Sequence, residues 1–214
     1  MSTQNNVNDS DRNADDRHAI ATYLGDMLAL ERHIAAPIES QLNSQDHQEY
    51  GEAIGLIGRI KSLTESHIAA LDQRLQQVGG SAGSGVKSAW SQLLGGGAAA
   101  LNQVRKTKVS KSLRDDYTAL GLAAISYTML HATALGLGDE TTAQLAKRHL
   151  DDITPVIVAI SRQIGGVVLS ELRDDGENVR ITAAQLSQQQ TQESWGSGAS
   201  RGSGSTAGAV GVER

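Results

Sequence analysis

The stretch "YLGDMLALERHIAAPIESQL" (Tyr23–Leu42) decides how this chain folds. Read at alternating steps of four and three residues, Ile20, Leu24, Met27, Glu31, Ile34 and Ile38 form one seam. That spacing is the a/d pattern of a helix packed lengthwise against other helices. One member of the seam is a carboxylate. A buried ionised carboxylate is costly unless it is paired, hydrogen-bonded or bound to a metal, so Glu31 is either a functional residue or one that tips outward to water.

The composition supports helices around that seam. The chain has 214 residues, 39 % of them hydrophobic, with no Phe and no Cys. Its core must be assembled from Leu, Ile, Val, Ala and Met, which suits closely packed helices better than an aromatic-rich sandwich. Without Cys there are no disulfides, thiolate metal sites or thiol nucleophiles. A formal net charge of -5 argues against a general nucleic-acid binder. No unbroken apolar run reaches the roughly 18–20 residues that span a bilayer, and the acidic start "MSTQNNVNDSDRNADD" is no signal peptide. A soluble, cytoplasmic protein without a membrane anchor is expected.

Further helical patterns follow the first. Residues 1–14 are polar and without periodicity, and are expected to form a disordered lead-in to a bundle spanning 15–174. Helix 1 is expected from about Asp16 to Gln41, bent at Pro37. Asp46 and Glu49 stand at capping-box spacing before a second helix through Ile57, Ile60, Thr64, His67, Leu71, Leu75 and Val78, which ends at "VGGSAGSG". A long connection from Gly79 to Ser112 carries one short helical piece around "KSAWSQLL". Ser112 and Asp115 read as a capping box for helix 3, about 113–135, which is apolar almost all round and expected to be the most buried. Asp139 reads as the N-cap of helix 4, about 140–172, with a kink at Pro155. Residues 175–214 are a Gly-, Ser- and Gln-rich tail, dispensable for folding. Two helices, a long crossover connection and two more helices describe an all-α, ferritin-like four-helix bundle.

Such bundles hold two metals with a Glu on each of two helices and a Glu-x-x-His on each of the other two. The sequence contains no Glu-x-x-His. In or beside the apolar seams it offers Glu31, His67, His131, and His149 with Asp152. Of these, Glu31, His67, Asp152 and His131 are the candidate metal ligands, a carboxylate and imidazole mixture suited to one ion such as iron or manganese. Without metal, a partner such as His67 would satisfy Glu31. The basic run Arg105, Lys106, Lys108, Lys111 and Arg114 lacks interleaved aromatics and reads as a solvated connection. No nucleophilic trio can be singled out, and a non-enzyme is the favoured reading.

The chain resembles the YciE/YciF-type stress proteins of the ferritin-like superfamily. "LGDMLALERHI" is similar to that family's helix 1 signature at Leu24, Asp26 and Glu31, with Ile34 for its last Leu. "RLQQV" (Arg74–Val78) resembles the end of the family's second helix. "LGDETTAQLAKRHLDD" resembles the start of its fourth, with Leu137, Gly138, Leu145, Leu150 and Asp151 in register. The likeness covers roughly residues 16–172. It implies a dinuclear site in which Glu31 matches the helix 1 ligand, Asp152 falls where the helix 4 glutamate would be, and His67 where the helix 2 glutamate would be. Leu71, Ala123 and the pair Val156 and Ile157 occupy the remaining ligand positions.

Two functions follow from different classes. One is a stress-associated structural homo-oligomer whose metal site is degenerate, with no cofactor; the alternative is a metalloprotein handling iron or peroxide at Glu31, His67, Asp152 and His131. An empty site makes Glu31→Leu neutral, or stabilising by about 1–3 kcal/mol. Gly51, Gly55 and Gly58 recur along helix 2 and predict close approach by another helix, inside the bundle or across a homodimer.

Overall fold

The structure, a computed structural model, describes residues 3–43, 50–80, 108–180 and 182–202. Among these residues there are five helices and no strand: α1 (Thr3–Asn43), α2 (Gly51–Gln77), α3 (Val109–Gly136), α4 (Glu140–Asp174) and α5 (Ala183–Gly202). The chain forms two compact units, residues 1–160 and 161–214. In the first unit α1 packs on α2 and, less extensively, on α3, while α2 and α3 scarcely meet. This is the diagonal arrangement of a four-helix bundle completed by the first part of α4.

The seam that opens the sequence is buried throughout. Ile20, Leu24, Met27, Glu31, Ile34 and Ile38 are each at most 2 % exposed. Opposite them lie Ile57, Ile60, His67, Leu71 and Leu75 of α2, then Leu113, Leu120, Ala123, Tyr127 and Leu130 of α3. Fully burying a Leu- or Ile-sized side chain is worth about 1.5–3 kcal/mol, so these seams carry most of the packing energy.

Helix boundaries depart from the expected ones in identifiable ways. α1 begins at Thr3, so the polar lead-in joins the helix. No Gly or Pro interrupts residues 1–16, and extending a helix is far cheaper than starting one. The expected box at Asp46 and Glu49, the helical piece near "KSAWSQLL", and Arg105 and Lys106 lie outside the described residues. α3 begins at Val109, with Lys108 in the cap position. Ser112 is therefore a buried residue inside the helix, and Asp115 is a surface residue bonded to Arg114. Both α1 and α4 run on through their prolines. The tail contains α5, whose opening "AAQLSQQQ" is built of good helix formers.

The turn between α3 and α4 is tight because Gly138 adopts φ +73°. Its N–H donates to Leu135 O (3.2 Å), and the Asp139 N–H donates to Ala134 O (2.8 Å). That pair of bonds closes the last turn of α3, and Asp139 then caps α4 by accepting the Thr142 N–H at 3.0 Å.

α3 differs from expectation in one further respect. It is apolar all round, but the bundle covers only one side of it, leaving Ile125, Met129 and Leu135 at least half exposed. α3 and α4 are also long and apolar enough to cross a membrane by length and composition alone. Counting unbroken apolar runs missed this, because single Gly, Ser, Thr and His residues break a run without much lowering its average. The glycines of α2 have no neighbour inside the described chain: a Cβ at Gly51, Gly55 or Gly58 would meet nothing within 4 Å. No described part of the bundle therefore explains them.

Candidate functional site

Glu31 faces inward because it occupies a seam position of α1, flanked by Met27 and Ile34. At 1 % exposure it has no water to turn to; its two partners come from α2 and α3, and each of these is held in turn from α4. His67 of α2, also 1 % exposed, places Nδ1 2.9 Å from Glu31 Oε1. Tyr127 of α3 donates its O–H to the same oxygen at 2.6 Å. His149 of α4 places Nδ1 2.8 Å from the Tyr127 oxygen. Its ring stacks on His67 with centroids 3.8 Å apart and planes 12° from parallel.

The hydrogens can be assigned from this geometry. Tyr127 has one proton to give and gives it to Glu31, so its oxygen accepts from His149, whose Nδ1 carries the hydrogen. Burial pushes the His149 imidazole down to about 3, with the His67 and Arg148 charges acting in the same direction. The ring is neutral at pH 7, and its single hydrogen sits on Nδ1. Burial, reinforced by the charge and hydrogen bond of Glu31 and by Asp152, pushes the Tyr127 phenol well above its usual range, so it stays protonated. His67 faces a carboxylate at each nitrogen, Glu31 at Nδ1 and Asp152 Oδ2 at Nε2 (3.3 Å). Both contacts are hydrogen bonds only when the ring is the imidazolium, since a neutral ring would aim a lone pair at one of them.

Glu31 Oε1 thus accepts two hydrogen bonds, whereas Glu31 Oε2 is buried with no partner among the described residues. Glu31 is no solitary remnant. Replacing it by leucine would strand the His67 and Tyr127 donors, which reverses the expectation that Glu31→Leu is neutral or stabilising; breaking a buried pair costs about 3–5 kcal/mol.

Three of the four residues singled out from the sequence come together here. Glu31 and His67 are central, and Asp152 reaches the cluster from the rim with its side chain half exposed. His131 does not belong: the buried seam of α3 runs through Ala123, Tyr127, Leu130 and Ala134, and the next residue after Leu130 lies about 100° round the helix. Tyr127 was the residue missed, and His149, noted beside the helix 4 seam, was not taken as a member of the site. Both hold seam positions, Tyr127 between Ala123 and Leu130 and His149 between Ala146 and Ile153, and a search for polar side chains on all four seams would have picked them out together.

The sequence matches no family model and no curated protein. Solved structures match in fold. A protein of Xanthomonas campestris pv. campestris is 18 % identical, covering 76 % of this chain and 99 % of its own, with a TM-score of 0.61. The bacterioferritin of Desulfovibrio desulfuricans is 16 % identical, covering 82 % of this chain and 90 % of its own, with a TM-score of 0.58. The fold is ferritin-like. At these identities the likeness extends to the fold alone.

That bacterioferritin has a diiron site, and the residues of this chain do not fit one. The positions that the resemblance assigns to the remaining ligands hold Leu71, Ala123, Val156 and Ile157, whose side chains carry no donor atom, and the first three are fully buried. Both ring nitrogens of His67 already face carboxylates. Among the described residues no group of three or more His, Asp or Glu side chains is placed to hold an ion. What the arrangement does chemically is order protons, from His149 through Tyr127 to Glu31 and from His67 to the same oxygen.

Proposed function

We propose that the chain is a stress-associated bundle protein of the YciE/YciF type in which a buried hydrogen-bond network stands in place of a dinuclear metal centre. It acts as a structural homo-oligomer in the cytoplasm and not as an enzyme. The observation that carries this reading is His67, whose two ring nitrogens lie 2.9 Å from Glu31 and 3.3 Å from Asp152, so that both are already engaged within the protein. The network ties four helices together at one level, work that metal ligands do in bundles that hold two irons.

The unpartnered Glu31 Oε2 supports a second reading, in which one cation sits against that oxygen and the protein handles iron or peroxide. Metal analysis by inductively coupled plasma spectrometry on protein purified without a tag separates the two. The proposal expects iron, manganese and zinc all well below one per chain. A stoichiometric amount of any of them would overturn it.

A further inference from the structure

The network places a phenol where it can give up more than a hydrogen bond. Tyr127 is 0 % exposed, and its O–H meets Glu31 Oε1 at 2.6 Å, the short distance of a hydroxyl donating to an ionised carboxylate. Burial, the charge and hydrogen bond of Glu31, and Asp152 hold that phenol well above its usual range, so the proton does not leave by itself at neutral pH. Removing an electron reverses the balance. An oxidised phenol is a strong acid, and a buried cation without a counter-charge is costly, so the proton must pass to an acceptor within hydrogen-bond reach. His149 cannot take it, because its Nδ1 already donates to the same oxygen. Glu31 can.

Two further observations suit that transfer. Each hydrogen bond to a carboxylate lowers its basicity. Glu31 takes both of its donors on Oε1, and Oε2 has none among the described residues, so the group keeps the capacity to bind a proton. Glu31 and Asp152 also bring two negative charges against at most one positive charge on His67, since His149 is neutral. Loss of one electron reduces that surplus in a place where net charge is expensive. The electron has a short way out: the Tyr127 and His67 rings meet edge to face with centroids 5.9 Å apart, and His67 meets Asp152, whose side chain is half exposed at the rim.

We propose that Tyr127 is a redox-active site, which donates one electron to a one-electron oxidant outside the bundle, such as an organic peroxyl radical or a high-valent metal complex, and passes its phenolic proton to Glu31 Oε1. The phenolic O–H bond breaks, Glu31 becomes a carboxylic acid, and the oxidant gains the electron. A neutral phenoxyl radical remains, still held by the His149 N–H. This adds an activity to the structural reading above and does not depend on it.

Hexachloroiridate(IV), a one-electron oxidant, tests the proposal on the full chain in the presence of chelator, with electron paramagnetic resonance of frozen samples as the readout. The wild type should give a long-lived tyrosyl signal that narrows when the protein carries ring-deuterated tyrosine. Tyr127→Phe should abolish it, whereas Tyr23→Phe, Tyr50→Phe and Tyr117→Phe should retain it. Glu31→Gln accepts a hydrogen bond but takes no proton, and the signal should form at least about a hundredfold more slowly in that variant, with circular dichroism confirming that it is folded. Should it fail to fold, the wild type itself decides: the signal should form more slowly in heavy water, because the proton moves with the electron. Absence of a tyrosyl signal, a signal that survives Tyr127→Phe, a folded Glu31→Gln variant oxidised as fast as the wild type, or equal rates in light and heavy water would each overturn the proposal.

Discussion

Two polar clusters tie helices of the bundle together, and they differ in how completely their atoms are matched. At the end of the bundle Arg74 of α2 donates to both oxygens of Asp139, at 2.8 and 2.7 Å, and its Nε donates to Thr142 Oγ1 at 2.8 Å. Thr142 donates in turn to Asp139 Oδ2 at 2.7 Å. Both carboxylate oxygens are used, and the cluster also caps α4. In the middle of the bundle Glu31 takes two hydrogen bonds on one oxygen and, among the described residues, none on the other. The first cluster is closed and local, fixing where one helix begins. The second is open and draws on four helices, so it is the place where chemistry could be added or has been withdrawn.

The sharpest way to break this contrast is Glu31→Leu. It should lower stability by about 3–5 kcal/mol, measured by urea unfolding, with the same loss in the presence and absence of chelator. A wild type that chelator weakens, beside a mutant indifferent to it, would make Glu31 a metal ligand. If the leucine variant is too unstable to study, Glu31→Gln keeps an acceptor and should retain part of the stability.

Asp139→Ala should cost less, about 2–3 kcal/mol, from one lost cap and one lost charge-assisted pair at a partly buried site. Burial alone would raise the Asp139 carboxyl, but the Thr142 amide and hydroxyl and the Arg74 guanidinium outweigh it and hold it below the usual carboxylate range. A group depressed in the folded state stabilises above its unfolded value and loses that contribution as pH falls through the folded one. Stability of the wild type near pH 3 should therefore fall more steeply than that of Asp139→Ala.

His149 gives the core cluster its own acid response. Its ring is lowered from 6.5 to about 3 in the folded chain, so the unfolded chain binds the extra proton between those values. Stability is full above pH 6.5 and falls on acidification by at most about 1.4 kcal/mol per pH unit, roughly 2 kcal/mol by pH 5. His149→Asn keeps a donor for Tyr127 but does not titrate, and the slope between pH 6.5 and 5 should flatten in that variant. An unchanged slope would place the titration elsewhere.

Tyr127→Phe should cost about 1.5–3 kcal/mol, because Glu31 loses one of its two donors and the His149 N–H is stranded, although Glu31 keeps His67. The same tyrosine should fail to ionise in an ultraviolet titration until the protein unfolds.

The residues explain how much of this was legible beforehand. The α1 seam determined the helical fold, because Ile20 to Ile38 repeat at a spacing that only a helix packed lengthwise can bury, and it marked Glu31 as an anomaly. Asp139 could be read as a cap because capping is a local matter of a side chain and an amide three residues on. The rest of the network was not local. Tyr127, which donates to Glu31, lies 96 residues away along the chain, and His149, which donates to Tyr127, sits on another helix again; their choice over His131 depended on the rotation of α3 and α4 about their own axes. Rotation is set by packing against neighbours, a quantity no single helix carries. The sequence by itself determined four long helices, three of them amphipathic and one apolar almost all round, with one carboxylate out of place. Only the tertiary structure decided that this carboxylate has two donors, that its second oxygen has none among the described residues, and that α3 keeps an apolar face the bundle does not cover.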